Sequence, residues 1–334
     1  MSRIAVLGAG SWGTALSLHL ARVGHDVHLW ARDPELAREI ETRRANAVYL
    51  PDAILPANVH VTSALDLALR DAPLVVSAIP THGCRAVMHA AAAHMLPRAT
   101  VISGAKGHEP GTLLRMSEVM RDELGPDRPV AALSGPSFAA EVAQQLPTAV
   151  VVASVDKDAA NAVQAEFRAP YFRLYGSSDV VGVEIGGALK NVIAIAAGVV
   201  EGLGLGENAL AALITRGLAE IGRLALEAGG QRETTAGLSG LGDLVLTCTG
   251  TRSRNRHVGI ELARGRQLSD ILAGMKMIAE GVKTTAAALA LGRRHGVELP
   301  IATQMAAVLE GRSDVRAAVE ALMVRPQRAE TEIV

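Results

Sequence analysis

The sequence predicts two parts: an N-terminal α/β domain built on a doubly wound parallel sheet, and an all-α C-terminal domain. The chain has 334 residues, more than the roughly 250–300 at which a single hydrophobic core usually stops growing. Strand-like runs alternate with helical patterns in the first half, as a doubly wound sheet requires. From about residue 179 only helical patterns remain, so we expect domains over 1–178 and 179–334.

The first predicted strand, residues 3–7, runs directly into the turn Gly8-Ala9-Gly10-Ser11-Trp12-Gly13. A helical pattern and a second strand at 27–30 follow, so G-x-G-x-x-G lies between a strand and a helix, as in a Rossmann-type domain. Gly8 permits the tight turn, Gly10 lets the backbone approach a pyrophosphate, and Gly13 lets helix and strand pack closely. The motif predicts dinucleotide binding; a plain strand-to-helix turn is the alternative.

The end of the second strand bears on which dinucleotide binds. It reads Trp30-Ala31-Arg32-Asp33-Pro34, with no acidic residue before Arg32. Arg32 can hold a ribose 2′-phosphate through its guanidinium, which favours NADPH. Asp33 either faces the ribose or caps the helix that opens at Pro34, so NADH use stays open.

Three further strands are predicted at 74–79, 100–103 and 130–133. Open α/β sheets bind ligands beyond the carboxyl ends of their strands, and several polar residues follow these ends. Lys106 comes directly after its strand and is the only lysine in the first 150 residues; an exposed loop lysine is the alternative. Gly135 and Ser137 follow the last of these strands.

Helices are predicted over 179–203, 207–228, 255–264, 280–296 and 301–310. The first is apolar on nearly all sides, yet it contains Lys190 and Asn191, with Gly186 and Gly187 on the lysine's face. Paired glycines destabilise a helix by roughly 1 kcal/mol each, which suggests that a backbone or ligand approaches there. Because burial lowers a lysine pKa toward the range of a general acid or base, Lys190 is the candidate catalytic residue. A structural, ion-paired lysine is the alternative.

Two further segments of this half carry polar chemistry. Asp243 follows a glycine-rich turn and either orients Lys190, accepts a substrate hydroxyl or caps a helix. The segment Thr251-Arg252-Ser253-Arg254-Asn255-Arg256-His257 offers three arginines at a helix start, which suits a phosphate site. A nucleic-acid patch or a solvated basic turn are the alternatives there.

Composition excludes several classes of protein. The chain has 33 basic and 34 acidic residues, a net charge of −1, which argues against nucleic-acid binding. The longest apolar run, 192–200, is about half of the ~20 residues that span a membrane. Neither the two cysteines, Cys84 and Cys248, nor the histidines show metal-ligand spacing. We therefore expect a cytoplasmic protein with no metal and no membrane partner.

Seven motifs together resemble the bacterial NAD(P)-dependent sn-glycerol-3-phosphate dehydrogenase family, in order over residues 3–323. Beyond the glycine turn they are Tyr49-Leu50-Pro51, Ala105-Lys106-Gly107, Ser134-Gly135-Pro136-Ser137-Phe138-Ala139, Gly186-Gly187-Ala188-Leu189-Lys190-Asn191-Val192, Gly240-Leu241-Gly242-Asp243 and Ser253-Arg254-Asn255. Small departures occur at Gly107-His108-Glu109 and Ile278-Ala279.

The resemblance implies reversible reduction of dihydroxyacetone phosphate to sn-glycerol 3-phosphate, for glycerophospholipid synthesis, by a homodimer. It implies that Lys190 exchanges the proton, with Lys106 and Asp243 beside it as further catalytic residues. The residues it implies for substrate binding are Lys106, Gly135, Ser137, Lys190, Asn191, Asp243, Ser253, Arg254 and Asn255. Those it implies for the cofactor, with the turn glycines, are Ser11, Trp12, Arg32, Lys106, Ala139, Arg254, Ile278 and Glu280.

Two other functions fit the residues less well. A β-hydroxyacid or ketopantoate reductase has a similar domain and a helical Lys-Asn pair, but it needs a carboxylate site in place of the phosphate site. A non-catalytic NADP sensor has no use for a lysine beside paired glycines in an apolar helix.

Overall fold

The computed structural model describes residues 1–275, 279–327 and 329. These residues divide into two compact units, each with its own hydrophobic core. The first comprises Met1–Glu109 and Leu114–Val180, and the second Pro110–Leu113 and Val181–Val334. The short segment Pro110–Leu113 therefore joins the second unit although it lies between strands of the first.

The first unit is built on an eight-stranded sheet. Its strands are β1 (Arg3–Leu7), β2 (Asp26–Trp30), β5 (Val59–Thr62), β6 (Leu74–Ser77), β7 (Thr100–Ser103), β8 (Val130–Ser134), β9 (Thr148–Ala153) and β10 (Phe172–Ser177). The strand order is β10-β9-β8-β7-β6-β1-β2-β5. Strands β3 (Ala45–Asn46) and β4 (Leu50–Ile54) form a separate antiparallel pair.

The predicted doubly wound parallel sheet is confirmed, and one pair of its strands is antiparallel. Strands β8 and β9 pair antiparallel, with Ala132 opposite Ala153. Between them lies one five-residue helix, Ala139–Ala143, which rises only about 7.5 Å. That is less than the ~17 Å of a five-residue strand, so the helix is too short to return the chain for a parallel crossover.

Helices cover both faces of the sheet. Alternate residues of β1 enter different apolar clusters: Ile4 and Val6 pack in one, Ala5 and Leu7 in the other. This is the pattern of a strand buried on both faces. The helices of this unit are α1 (Ser11–Val23), α2 (Pro34–Arg43), α3 (Leu65–Leu69), α4 (Thr81–Ala92), α5 (Met116–Leu124), α6 (Ala139–Ala143) and α7 (Lys157–Glu166).

All the regular elements among the described residues of the second unit are helical. Its elements are α8 (Val180–Gly202), α9 (Gly206–Glu227), α10 (Arg232–Ala236), a π-helical segment (Leu238–Gly242), α11 (Asp243–Thr249), α12 (Arg254–Ala263), α13 (Leu268–Ala273), α14 (Glu280–His295), α15 (Pro300–Leu309) and α16 (Val315–Met323). The five predicted helices correspond to α8, α9, α12, α14 and α15.

Helix α8 contributes many residues to the buried apolar cluster of this unit. It is the one described helix long and apolar enough to cross a membrane by length and composition, and it contains the predicted apolar run 192–200. Within the chain, 94% of its most apolar window is buried, as expected of a core helix. Gly198 lets α12 approach, because a Cβ there would overlap the carbonyl oxygen of Arg256. Gly259 on α12 makes the reciprocal contact with Ile195.

Candidate active site

The glycine turn between β1 and α1 has the backbone geometry that its spacing predicts. Gly8 adopts φ +108°, and a Cβ there would lie 2.9 Å from the carbonyl oxygen of Ala78. A Cβ on Gly13 would overlap the Gly8 carbonyl oxygen, whereas one on Gly10 would meet no atom within 4 Å. The turn is therefore closed on its protein side and open at Gly10, the N-cap of α1, where a pyrophosphate would approach.

Buried polar groups without a hydrogen-bond partner gather at the carboxyl end of this sheet. Trp12 Nε1 is one, and the hydroxyls of Ser77, Ser103 and Ser134, the last residues of β6, β7 and β8, are three more. Buried polar atoms are normally paired by protein, water or ligand. Orphan donors beside an open glycine turn are consistent with a dinucleotide at this edge.

At the end of β2 the structure distinguishes between the two roles that the sequence leaves open for Asp33, ribose contact and helix capping. Asp33 caps α2, its carboxylate accepting a hydrogen bond of 2.9 Å from the Glu35 amide. Arg32 is exposed. The Asp33 carboxylate therefore binds the N-terminus of α2. The Arg32 guanidinium is the charged group that is exposed to solvent at this end of β2.

Three predicted substrate-binding residues of the first unit meet at one carbonyl. Lys106 Nζ and Ser137 Oγ each donate a hydrogen bond of 2.9 Å to the oxygen of Gly135. Gly135 has φ +128°, and a Cβ on it would lie 3.1 Å from the Val150 Cα, so a side chain is excluded there. Ala139, partly buried, begins α6 just beyond this cluster.

In the second unit, Lys190 lies within a buried polar cluster. Its Nζ donates to Asp243 Oδ1 at 2.5 Å and to Thr247 Oγ1 at 2.8 Å. The Thr247 hydroxyl donates in turn to the Asp243 carbonyl at 2.6 Å, which fixes its lone pairs toward the amine. Lys190 is 6% exposed and Asp243 1%. Asp243 therefore orients the lysine, and it is the first residue of α11 and not its cap.

The predicted backbone approach beside Lys190 also occurs. A Cβ on Gly186 would lie 3.0 Å from the carbonyl oxygen of Ser239. Ser239 belongs to the π-helical segment that leads into α11. The glycine therefore lets this segment pack against α8 and bring Asp243 to the amine.

Two asparagines, Asn191 directly after Lys190 and Asn255 on α12, join three helices. Asn255 Nδ2 donates to Asn191 Oδ1 at 2.9 Å, and Asn255 Oδ1 accepts from the Gly281 amide at 3.0 Å. A Cβ on Gly281 would lie 2.6 Å from the Asn191 carbonyl oxygen. The pair thus ties the start of α14, including Glu280, to α8 and α12.

The basic turn before α12 is only partly a candidate phosphate site. Ser253 caps α12, accepting from the Arg256 amide at 3.2 Å. Arg254 is exposed, whereas Arg256 forms an ion pair with Glu201 of α8. Of the three arginines, Arg256 is thus engaged by the protein. Ile278, expected at the cofactor, lies outside the described residues.

Family models for the N-terminal and C-terminal regions of NAD-dependent glycerol-3-phosphate dehydrogenase match residues 3–160 and 179–320. The chain belongs to this family. It is 53% identical to a glycerol-3-phosphate dehydrogenase, NAD(P)+, of Koribacter versatilis, over 99% of both chains. A relative of the same name from Acidobacterium capsulatum is 52% identical, over 99% of this chain and 100% of the relative.

A solved structure agrees with these relatives. The crystal structure of glycerol-3-phosphate dehydrogenase from Coxiella burnetii superposes with a TM-score of 0.94 at 39% identity, covering 97% of this chain and 99% of that one. The resemblance inferred from the motifs is therefore confirmed. The chain is an NAD(P)-dependent oxidoreductase acting on a small molecule.

The sequence analysis does not single out two residues of the candidate site. Thr247 follows Asp243 by four positions, so a helical reading of 243–249 would have put both on one face. The close approach of Gly281 to Asn191 depends on how α14 packs on α8, which no local pattern encodes.

Proposed function

We propose that this protein catalyses the reversible NAD(P)H-dependent reduction of dihydroxyacetone phosphate to sn-glycerol 3-phosphate, supplying glycerophospholipid synthesis. The observation that carries this proposal is the buried Lys190 amine, held 2.5 Å from Asp243 and 2.8 Å from Thr247. It occurs in a chain 53% identical to a protein named for this activity.

Lys190 is the proton donor in the direction of reduction. The nicotinamide, when bound, supplies the hydride to the ketone carbon, and the oxygen there gains negative charge. The Lys190 ammonium gives this oxygen a proton, and in the reverse direction the neutral amine takes it back. Asp243 stabilises the ammonium and fixes its position, while Lys106 adds positive potential at the substrate.

The substrate phosphate is bound chiefly by the start of α12. Its capped N-terminus offers the positive end of a ten-residue helix, and Arg254 and Ser253 add side-chain donors. Asn191 and Asn255 align this helix with Lys190. In the first unit, Lys106, Gly135 and Ser137 bind the remaining polar groups of the substrate.

The cofactor is held by the glycine turn with Ser11, Trp12, Arg32, Lys106, Ala139, Arg254, Ile278 and Glu280, and Arg32 favours NADPH. We assign dinucleotide binding to residues 1–178 and substrate binding with catalysis to 179–334. We further propose a cytoplasmic homodimer that needs no metal for catalysis and binds neither nucleic acid nor membrane.

The test is turnover of NADPH with dihydroxyacetone phosphate and, separately, with ketopantoate. Rapid oxidation with the phosphorylated ketone and none with the keto acid is expected. Arg254→Ala should lower kcat/KM for the phosphorylated ketone by at least about tenfold, because a phosphate contact is lost. Preference for ketopantoate, or an unchanged kcat/KM in the variant, would overturn the substrate assignment.

A further inference from the structure

Two histidines and an aspartate converge on the outer strands of the sheet. Asp26 begins β2, His28 lies two residues on, and His60 on edge strand β5 is the direct partner of His28. Asp26 Oδ2 lies 3.1 Å from His28 Nε2, and Oδ1 lies 3.0 Å from His60 Nε2. The two imidazoles stack with ring centroids 5.0 Å apart. One carboxylate thus faces two imidazole nitrogens.

This geometry is that of a ligand set for a divalent metal. One ligand atom from each residue lies within 4.8 Å of the others. Donors bound to one metal at about 2.1 Å are themselves ~3.0–3.4 Å apart, so small movements suffice. Two imidazoles and one carboxylate suit Zn²⁺, Co²⁺ or Ni²⁺ better than Mg²⁺ or Ca²⁺. His60 is exposed, which leaves room for water ligands.

Arg3 on β1 is a neighbouring positive charge that disfavours binding of a metal cation by this set. It is the strand partner of Asp26, and its guanidinium lies 3.4 Å from His28 Nδ1 and 3.1 Å from the Leu67 carbonyl oxygen. A metal on His28 Nε2 requires the proton on Nδ1, where it would meet the Arg3 donor. Binding therefore needs Arg3 to leave His28 and keep its bond to Leu67.

We infer that Asp26, His28 and His60 form a divalent transition-metal site that joins edge strand β5 to β2, with Arg3 limiting its affinity. The sequence gives no hint of this site, because its histidines are 32 positions apart and only the parallel register of β2 and β5 brings them together. The site is structural and separate from the proposed proton transfer, which needs no metal.

Calorimetric titration of the tag-free protein with Zn²⁺ at pH 7.5 tests the site. One equivalent should bind, and thermal unfolding should move up by about 3 °C at tenfold excess of Zn²⁺ over Kd. His60→Ala and His28→Ala should each weaken binding by at least about tenfold. His94→Ala, which removes an exposed histidine elsewhere in this unit, is the matched control and should leave Kd unchanged.

The Zn²⁺ affinity of Arg3→Gln and the absorption spectrum of the Co²⁺ complex are two independent tests. Removing the positive charge of Arg3 should tighten Zn²⁺ binding several-fold, whereas the affinity of an adventitious site elsewhere would not change. Co²⁺ should develop visible absorption bands that His60→Ala abolishes. Absence of binding up to about 1 mM Zn²⁺, or equal affinity in wild type, His28→Ala and His60→Ala, would overturn the site.

Discussion

At the residue scale, the account depends on the amine of Lys190 and its two partners. Lys190→Ala should lower kcat by at least ~10²-fold, the scale of general acid–base catalysis, with NADPH affinity unchanged. Steady-state kinetics and a fluorescence titration with NADPH measure the two quantities. Lys157→Ala, an exposed lysine on α7, is the matched control. A kcat for Lys190→Ala near that of wild type would remove Lys190 from the mechanism.

Thr247 is expected to act by positioning that amine. Thr247→Val keeps the shape but removes the hydroxyl that accepts from Lys190 at 2.8 Å, so kcat should fall about tenfold while the KM for substrate changes little. Thr247→Ser, which restores the hydroxyl, should recover most of the rate. Equal kcat values for the two variants would contradict a positioning role for the hydroxyl.

At the element scale, the turn before α1 separates cofactor binding from folding. Gly10→Ala meets no protein atom within 4 Å, so its thermal unfolding should match wild type while its Kd for NADPH rises at least about tenfold. Gly13→Ala drives a methyl into the Gly8 carbonyl and should lower stability by about 1–3 kcal/mol. Chemical denaturation measures the stability of each variant, and NADPH titration measures its Kd for the cofactor. Unchanged NADPH affinity in Gly10→Ala would contradict the turn's role.

Elements with strong local patterns could be predicted from the sequence, and elements set by packing could not. Strand β1, the glycine turn and the apolar helix around Lys190 each have a distinctive pattern, and each lies where the sequence predicts. Strands β5, β9 and β10 of the sheet are not predicted by the sequence analysis. Whether β9 runs parallel or antiparallel to β8 depends on how far the chain travels after Gly135, which is a matter of tertiary structure.

The candidate site shows the same division. The pairing of Lys190 with Asp243 was one of three roles open for the aspartate, because their contact spans 53 positions of chain. The structure brings them together through the approach of Ser239 to Gly186. Similarly, the ion pair of Arg256 with Glu201 follows from helix packing, so the three arginines of 252–256 in the sequence overestimate the number of cations available to a phosphate.

At the scale of the whole molecule, two buried histidines of the first unit make stability depend on pH. Burial lowers the pKa of His19 and of His108 from 6.5 to about 4. Between about pH 6.5 and 4 the two histidines are therefore protonated in the unfolded chain but not in the native state. The free energy of unfolding falls as the pH falls through this window. Each histidine contributes up to roughly 3 kcal/mol of this loss.

The two histidines differ in how well they are hydrogen-bonded. His19 Nδ1 lies 3.0 Å from the Tyr171 hydroxyl and Nε2 lies 2.9 Å from the Phe167 carbonyl oxygen, whereas His108 Nδ1 is buried without a partner. At pH 7, His108→Leu should raise the free energy of unfolding by about 1 kcal/mol, and His19→Leu should lower it. Both should flatten its pH dependence. Denaturant titrations of the wild type and both variants at pH 7 and 5 measure these free energies of unfolding. A lower free energy of unfolding in His108→Leu than in wild type at pH 7 would contradict this account.

The phosphate requirement tests the central claim about the whole molecule most directly. The measurement is NADPH oxidation at 340 nm by the wild-type protein with dihydroxyacetone phosphate, and in parallel with unphosphorylated dihydroxyacetone. Because binding of the remote phosphate positions the reacting carbon, kcat/KM should be at least about 10²-fold higher with the phosphate. Equal kcat/KM for the two ketones, or no turnover of the phosphorylated one despite NADPH binding, would contradict the account.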